Sequence, residues 1–306
     1  MVNALWFTYA GEFSGDGADL PYDKLLIDNF ASVYQAYSLR QLSVFHTGPA
    51  VRVRRSSDNA VLDVGFVDGL LDTASLTAFV GANSAYVHTW YDQSGNARNM
   101  VQATTAKQPR IVNAGTLVTI GDAPGVEFTG TDVHLKHTAP GLKALVAASG
   151  ATVCEVHTDA SALLSYGETD NGGSAGGRIL PFGWSSATPP LLLFQVADST
   201  GTNQAGYPSF AINAVGEVHS DVAVKNNGAG AALYRDGIQK VSNAFNPTMP
   251  TSTMTSATLG GWEAATAGSI NSDYVGKIGE HIIIAGAADT SDVAVVAGSH
   301  ATYFGI

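Results

Sequence analysis

The sequence is poor in charged residues and in cysteine, and each shortage excludes a class of protein. Charged residues make up 13% of the 306 residues, against about a quarter in an ordinary soluble chain. A coiled coil needs many Glu and Lys residues, so this composition excludes one. The single cysteine, Cys154, excludes an intrachain disulfide and a zinc site built from several Cys and His residues.

Basic residues and long apolar runs are scarce as well. The chain has 15 Lys and Arg against 26 Asp and Glu, a net charge of −11. Nucleic-acid-binding domains usually have the opposite sign, so no nucleic-acid partner is expected. No apolar run reaches the roughly 18 residues that span a bilayer. The first twenty residues have no basic region before an apolar core, so we expect no signal peptide and no membrane partner.

Hydrophobic residues are plentiful, at 45% of the chain, and their spacing predicts the secondary structure. Between Lys24 and Leu42, apolar residues such as Leu26, Phe30 and Val33 recur at intervals of three and four. This period predicts an amphipathic N-terminal helix over about 24–42. A second helix is predicted at Asp72–Val80, and a C-terminal helix at about 290–303.

From Ala50 onward the pattern is mostly that of short strands between Gly-rich and Asn-rich turns. Asp236-Gly237 predicts a hairpin between two of the strands. The other strands are predicted at Val126–Phe128, Ala151–His157, Leu191–Val196, Phe210–Ile212, Val218–Val224, Ala231–Arg235 and Gly279–Ile284. Many short strands with few helices predict an all-β protein, a jelly-roll β-sandwich with a few short helices.

The chain shows no internal repeat and no low-complexity linker. The simplest division is an N-terminal arm over residues 1–22 and a single lectin-like domain over residues 23–306. A further boundary near residue 115, where the strand-and-turn pattern begins, is left open.

Two groups of motifs carry a resemblance to known proteins. The first comprises AYSLRQL at Ala36–Leu42, the run Gly48–Thr73, TWYDQSGN at Thr89–Asn96 and QPRIV at Gln108–Val112. It resembles the N-terminal half of the catalytic domain of α-L-arabinofuranosidase B enzymes, and also a module of bacteriophage tail and virion proteins. The second comprises PGVEFTGTD, LYRDGIQKVS, LGGW and VGKIGEHIII, and it resembles the concanavalin A-like, laminin-G-like sandwich. The resemblance covers roughly residues 30–306 and implies a two-sheet jelly roll.

The resemblance also implies where the catalytic groups of the family would stand. In the family the nucleophile is a Glu in a strand reading D-x-E-N. Here Gln195 stands where that strand has Asp, and Ala197 stands where it has the nucleophile. The family's acid/base Asp follows a Gly-Gly pair, which here precedes Trp262 and Glu263, and its two pocket cysteines correspond to Leu163-Leu164. These differences imply that the catalytic carboxylates are replaced, so we expect no catalytic residues and no enzyme.

The function expected on these grounds is that of a phage virion structural protein, a tail, fibre or capsid-surface component. It would be made in the host cytoplasm and located in the virion, as a homo-oligomer with other virion proteins as partners. A cell-surface glycan is a further possible partner. The alternatives are a glycoside hydrolase of α-L-arabinofuranosidase type with relocated carboxylates, such as Glu168 and Glu263, and a carbohydrate-binding module without catalysis.

Six residues are candidates for glycan binding, because aromatic faces stack on sugars and carboxylates bond their hydroxyl groups. They are Trp184, Trp262, Glu263, Tyr166, Glu168 and Asp92. Trp184 and Trp262 are predicted to lie in loops, where functional residues concentrate. Asp92, in YDQSGN, is also explained by a turn. The scattered histidines predict no metal site, and no cofactor is expected; calcium is possible but nothing in the sequence demands it.

Overall fold

The computed structural model describes residues 24–159, 165–170, 176–185, 189–212, 215–228, 230–263, 270–271 and 273–306, with the backbone alone at 184–185 and 270–271. The predicted arm over residues 1–22 lies outside these residues, as does the Leu163-Leu164 pair. The single domain over residues 23–306 and the boundary near residue 115 stay predictions.

Most strands of the described chain belong to three parts of one antiparallel sheet. The back sheet contains Val33–Ser38 (β1), Val126–Thr129 (β12), Ala151–Thr158 (β14), Val218–Asn226 (β19), Gly230–Arg235 (β20), Ile238–Asn243 (β21) and Val275–Ala285 (β25). The front sheet contains Met100–Val101 (β7), Leu135–His137 (β13), Tyr166–Thr169 (β15), Arg178–Ser185 (β16), Leu191–Ala197 (β17), Ser209–Ala211 (β18) and Ser256–Leu259 (β22). The side sheet contains Val51–Arg55 (β2), Val61–Val64 (β3), Ala85–Trp90 (β6), Arg110–Asn113 (β8) and Thr116–Leu117 (β9).

Short hairpins and helices complete the described elements. The hairpins are Phe66–Val67 with Leu70–Leu71 (β4, β5), Thr119–Ile120 with Ala123–Pro124 (β10, β11), and Trp262–Glu263 with Ile270–Asn271 (β23, β24). The α-helices are Thr73–Val80 (α1), Leu142–Ala148 (α2) and Thr290–Phe304 (α3), and the 3-10 helices are Leu26–Asn29 and Thr105–Lys107. No helix of the described chain is both long and apolar enough to cross a membrane.

The back and front sheets face each other across one hydrophobic core. The side sheet joins them at one edge, because β6 pairs with β7 of the front sheet and β8 pairs with β12 of the back sheet. Alternate residues of each strand enter the core, among them Val153 and Ile283 from the back sheet and Phe194 and Leu259 from the front sheet. The predicted all-β sandwich with few helices is therefore confirmed.

The predicted N-terminal helix over 24–42 is wrong. A 3-10 helix, Leu26–Asn29, is followed by strand β1, which pairs with β25. Gln35, Ala36, Tyr37 and Ser38 of this strand are all fully buried. Because both faces of β1 are covered, its sequence lacks the polar–apolar alternation of a half-buried strand, and its apolar residues imitate a helical period.

The C-terminal helix predicted at 290–303 is confirmed as α3, which lies on the outside of the back sheet. Asp289 caps its first turn by accepting hydrogen bonds from the backbone N–H groups of Ser291 and Asp292. Its buried side chains include Val293, Val296 and His300. The helix therefore covers part of the outer face of the back sheet.

A second polar contact fixes α3 on the sheet. Glu280 of β25 accepts hydrogen bonds from Arg40, Ser38 and His300, with N···O distances of 2.9 Å from both Arg40 Nε and His300 Nε2. His300 Nδ1 lies 2.7 Å from the hydroxyl oxygen of Ser220. Burial would raise the pKa of Glu280, but Arg40 and His300 outweigh it and lower this pKa to about 2.

The interior of the sandwich also contains a network of buried charged groups at one end of the back sheet. Arg235 bonds Asp159 through both Nη atoms at 2.7 Å, and it bonds Asp221 through Nε at 2.9 Å and Nη2 at 2.7 Å. His157 lies 3.0 Å from both Asp221 and Glu155. Burial would raise the pKa of Asp221, yet hydrogen bonds from Arg235 and His157 lower it to about 2. Burial would lower the pKa of His157, yet Asp221 and Glu155 raise it to about 9.

These buried groups predict that stability depends on pH at both extremes. Asp221 and Glu280 have lowered folded-state pKa values, so their stabilisation is full above pH 4.5 and is lost as the pH falls towards about 2. His157 has a raised value, so its contribution is full below pH 6.5 and is lost as the pH rises through about 9. Each group contributes about 2–3 kcal/mol. Denaturant unfolding from pH 2 to 10 should give a maximum between pH 5 and 6.5; a flat profile would contradict this account.

The charge network also predicts the effect of removing one partner. Arg235→Met leaves two buried carboxylates without their cation and should lower the free energy of unfolding by about 3–5 kcal/mol. Arg52→Met is the matched control, because Arg52 and Asp63 pair at 2.6 Å with each side chain 40% exposed. That loss should stay below about 1 kcal/mol. Urea titrations measure both free energies of unfolding. If the two variants lose the same amount, the buried ion pairs stabilise the fold no more than an exposed one.

Candidate functional site

The outer face of the front sheet is polar, in contrast to the outer face of the back sheet. Along β13, β22, β16 and β17, polar and charged residues stand between the core positions, beside the apolar Leu180, Leu193 and Ala197. The polar and charged residues include Lys136, Ser256, Thr258, Arg178 and Gln195. Thr258 is fully buried, and Arg178 and Gln195 are 8% and 9% exposed. A buried polar surface on the outside of a sheet is unusual for packing alone and marks the candidate site.

The Gly260-Gly261 turn brings two of the sequence-predicted residues over this outer face. The turn follows β22 and is held by the hydroxyl group of Thr258, which donates to the carbonyl oxygen of Gly261 at 2.5 Å. Gly260 has a φ of +96°, a conformation that favours glycine. Trp262 and Glu263 follow as β23, buried at 7% and 2% exposure.

Glu263 is held by a cation of the outer face. Its Oε1 atom accepts a hydrogen bond from Lys136 Nζ at 2.8 Å. Lys136 lies on β13 between Leu135 and His137, which point into the core, so its own side chain points outward. An ammonium group at this distance from a nearly buried carboxylate favours the ionised form of Glu263.

Arg178 is the second cation of the outer face, and it lies against Trp262. Its guanidinium carbon is 5.1 Å from the centre of the indole ring, and Nη2 donates to Asn203 Oδ1 at 2.7 Å. Burial lowers the pKa of Arg178, while the charges of Asp170 and Asp198 act in the opposite direction. The guanidinium group of Arg178 therefore covers one face of the Trp262 ring. Asp170 and Asp198 lie close enough to Arg178 for their charges to act on its pKa.

Glu168 and Tyr166 lie on the opposite side of the front sheet from Glu263. Both are fully buried in the core, and Tyr166 donates to Glu168 at 3.0 Å. Glu168 also accepts the backbone N–H groups of Gly141 and Leu142 at 2.9 Å, which fixes the start of α2. Burial raises its pKa, against these hydrogen bonds. Neither side chain is exposed, and they lie on the opposite side of the sheet from Glu263. Glycan binding by Tyr166 and Glu168 stays a prediction.

Asp92 lies in the turn that the sequence YDQSGN predicts. It accepts hydrogen bonds from the backbone N–H groups of Ala36 at 2.9 Å and of Ser94 and Arg98 at 3.0 Å. It is 5% exposed, and its contacts join the turn to strand β1. Asp92 thus has a structural role that occupies both carboxylate oxygens.

Trp184 lies in a strand, where the sequence analysis expected a loop. Its backbone belongs to β16 and pairs with Leu192 of β17, while its side chain is outside the described part of the structure. Trp262 also lies in a short strand rather than a loop. Glycan binding by Trp184, Trp262 and Glu263 stays a prediction.

Sequence reasoning missed Lys136, Arg178 and Asp170 as members of this site. Lys136 offered little signal, because no strand is predicted around Leu135–His137 and it is a single charged residue between two histidines. Arg178 also offered a weak signal, because it is a charged residue directly before the apolar run Ile179–Phe182. Their convergence depends on the pairing of β13, β22, β15 and β16, which no local pattern reveals.

A cluster inside the sandwich has the side chains of a metal site. Ligand atoms of His157, Asp159 and Asp221 lie within 4.8 Å of one another, and all three residues are buried. Arg235 already bonds both aspartates in a two-pronged arrangement. The cluster is therefore explained as a buried ion-pair network, in which the guanidinium group supplies the positive charge that a metal ion would supply.

Comparison with known proteins relates the chain to arabinofuranosidases. The family profile described as the catalytic domain of α-L-arabinofuranosidase B matches residues 31–142. A GH54 α-L-arabinofuranosidase soaked with a cyclic sulfate inhibitor has a similar structure, with a TM-score of 0.63 and 16% identity. An arabinofuranosidase in complex with arabinofuranosyl-α-1,2-xylobiose has a TM-score of 0.61 and 17% identity. Each similarity covers 90% of this chain and 63% of the other, so the chain spans less than two thirds of those proteins.

The similarity establishes a sandwich fold that resembles the catalytic domain of arabinofuranosidase B. No curated protein shows significant sequence similarity to the chain. The expectation of a phage virion structural protein is contradicted, because the profile and both structures are those of hydrolases. The expectation that the chain is no enzyme is contradicted on the same ground. That expectation depended on Gln195 and Ala197 standing at the catalytic positions of the family, and a shift of one residue moves every side chain to the other face of a strand.

The Gly-Gly turn predicts that a methyl group at Gly260 disturbs the site. A Cβ atom there would lie 2.5 Å from Phe128 Cδ1 and 2.6 Å from the carbonyl oxygen of Val133. Gly260→Ala should cost about 3 kcal/mol, through backbone strain and overpacking. Gly286→Ala is the matched control, with a φ of +100° and no atom within 4 Å of the added group. It should cost only about 1 kcal/mol. Equal melting temperatures for the two variants would contradict the close packing of this turn.

Proposed function

We propose that the chain is a glycoside hydrolase of α-L-arabinofuranosidase type, with its active site on the outer face of the front sheet. The observation that carries the proposal is the match of residues 31–142 to the catalytic family of arabinofuranosidase B. The sandwich similarity over 90% of the chain supports it. Fold alone does not decide function, so the argument depends on the groups of this face.

Glycoside hydrolysis needs two carboxyl groups beside the scissile bond. They are about 5 Å apart when one is a nucleophile, and about 6.5–9.5 Å apart when one activates water. Glu263 supplies a carboxyl group that is 2% exposed and pairs with Lys136 at 2.8 Å. Such a carboxylate is suited to attack the sugar, to activate water or to stabilise the positive charge that develops on the sugar ring.

Two aspartates near Arg178 are candidates for the second carboxyl group. Asp170 follows β15 and accepts the backbone N–H of Gly177 at 2.9 Å. Asp198 follows β17 and accepts the N–H and hydroxyl groups of Thr200 at 2.9 and 2.7 Å, which lower its pKa. A lowered pKa suits a base or nucleophile more than a general acid, so Asp170 is the better candidate for the acid.

Arg178 and Trp262 lie against each other close to these carboxyl groups. The guanidinium group lies over the indole ring and is bonded to Asn203, so both side chains are fixed before a ligand binds. Groups that are already fixed lose little entropy on binding, and this favours precise placement of a sugar. Gln195, on the neighbouring strand, adds an amide group to the same face.

The proposal predicts hydrolysis of 4-nitrophenyl α-L-arabinofuranoside by the wild-type chain. Glu263→Gln keeps the size of the side chain and removes its charge, so kcat/KM should fall by about 10³-fold or more. Asp170→Asn should also lower it, by about 10²-fold or more. Release of 4-nitrophenol measures both effects.

The matched control is Glu217→Gln, since Glu217 lies just before β19 of the back sheet and its side chain is 57% exposed. It should leave kcat/KM unchanged. Retained activity in Glu263→Gln would remove Glu263 from the mechanism. A wild-type chain that cleaves no arabinofuranoside but binds arabinose-containing oligosaccharides would instead support a carbohydrate-binding module.

A further inference from the structure

Residues 102–108, here called the 102–108 loop, are attached to the front sheet by polar contacts. The loop connects β7 to β8 and contains the 3-10 helix Thr105–Lys107. Its middle, residues 103–106, is exposed, and within the described chain the loop contributes no side chain to the hydrophobic core. It lines a cavity of about 640 Å³ together with His134 and Lys136. Segments with few buried apolar contacts open locally at low cost, so the attachment of this loop depends on its hydrogen bonds.

A chain of buried polar side chains makes these hydrogen bonds. Nε of Arg54 donates to Oε1 of Gln108, and Nε2 of Gln108 donates to the carbonyl oxygen of Gln102, each at 2.7 Å. The amide nitrogen of Gln102 lies 2.9 Å from Nε2 of His134. Oε1 of Gln102 accepts the backbone N–H of Thr104 at 3.0 Å, so the amide group cannot rotate without losing that bond. The chain therefore ends at His134 with the direction of its last hydrogen bond fixed.

The contacts of His134 determine which ring nitrogen carries the hydrogen. Nδ1 lies 2.8 Å from the carbonyl oxygen of Asp132, which can only accept, so Nδ1 is the donor. The amide nitrogen of Gln102 can only donate, so Nε2 of His134 is the acceptor. A proton on Nε2 would place two donors against each other inside the protein and leave both unpaired. The side chains of His134 and Gln102 are therefore bonded only while His134 is neutral.

The surroundings of His134 favour this neutral form. Burial lowers the pKa of His134, the hydrogen bond to the carbonyl oxygen of Asp132 opposes this, and the charges of Lys107 and Lys136 lower it further. Lys107 pairs with the carboxylate of Asp132 at 2.9 Å. The other charged groups in contact with these residues or with the chain of hydrogen bonds are Glu263, Asp273 and Arg54. The fold thus keeps His134 neutral at pH 7, and acidification acts against the contact with Gln102.

We propose that His134 is a pH-sensitive switch, which holds the 102–108 loop against the start of β13 when it is neutral and releases the loop when it is protonated. The backbone N–H of His134 also donates to the carbonyl oxygen of Lys107 at 3.0 Å, so the loop and the strand separate at this point. Release widens the cavity that the loop and His134 line, and access to the cavity then depends on pH. The switch goes beyond the proposed function, since it needs no catalytic group.

Hydrogen exchange of the Thr104 backbone amide, followed by NMR on the full chain, measures the release. Its protection, corrected for the intrinsic exchange rate, should be constant above pH 6.5, because His134 is then neutral whether the loop is closed or open. It should fall by about tenfold between pH 6.5 and 5, where only the released histidine takes up a proton. Asp221 and Glu280 stay ionised in this range, so their ion pairs persist. Protection that does not change with pH would overturn the proposal.

Three variants assign the effect to His134. His134→Gln keeps an acceptor near the position of Nε2 and cannot be protonated, so the fall in protection should disappear. Gln102→Glu replaces the donor by a carboxylate that bonds protonated His134, so protection at pH 5 should be at least equal to that at pH 6.5. His88→Gln is the matched control, because burial also lowers the pKa of His88, but its ring bonds Thr89 rather than the loop. It should keep the wild-type profile.

A fall of the wild-type size in His134→Gln or in Gln102→Glu would overturn the switch. The nitrogen-15 chemical shifts of the His134 ring at pH 7.5 provide a test that needs no variant. They should show the hydrogen on Nδ1; a hydrogen on Nε2 would overturn the direction of the bond from Gln102, and the switch with it. None of these measurements requires hydrolysis of a sugar, so failure of the switch and failure of the proposed function are distinguished.

Discussion

The ion pairs of Arg235 with Asp159 and Asp221 are the interaction on which the arrangement of the sandwich depends. Buried charges are costly to remove from water, and an ion pair offsets that cost only when its geometry is good and its hydrogen bonds are complete. Arg235 satisfies this condition with four hydrogen bonds of 2.7–2.9 Å. A shift of one residue between β14, β19 and β20 would move these groups out of the interior and leave them without partners. The network therefore specifies the register of the back sheet more strictly than apolar packing could.

The same back sheet determines which surface remains available to a ligand. Consecutive residues of β25 point to opposite faces of the back sheet. His281 points inward and lies 2.7 Å from Glu155, and Glu280 points outward and lies 2.9 Å from His300 of α3. The outward contact fixes the C-terminal helix over the back sheet, where the helix covers part of the outer face. The front sheet has no such helix over its polar residues in the described part of the chain. The outer face of the front sheet is therefore the surface on which we place the proposed active site.

The sequence predicts the strands well because most have one face in the core and one outside it. The strands at Val126–Phe128 and Ala231–Arg235 appear within one or two residues of their predicted bounds, since turns with Gly and Asp end them. The failure at β1 has the opposite cause, because Gln35 and Ser38 are buried polar residues and remove the alternation of polar and apolar residues.

The site was harder to predict than the fold. Glu168 and Glu263 are both acidic residues near turns in the sequence, and only the pairing of β15 with β22 and β16 shows that they face opposite sides of a sheet.

The cations on the outer face of the front sheet are paired with carboxylates or with an aromatic ring. Lys136 and Glu263 neutralise each other, and Arg178 is placed over an aromatic ring with Asp170 and Asp198 nearby. Such a surface exerts no long-range attraction on a charged ligand, so association with it is not steered by electrostatics.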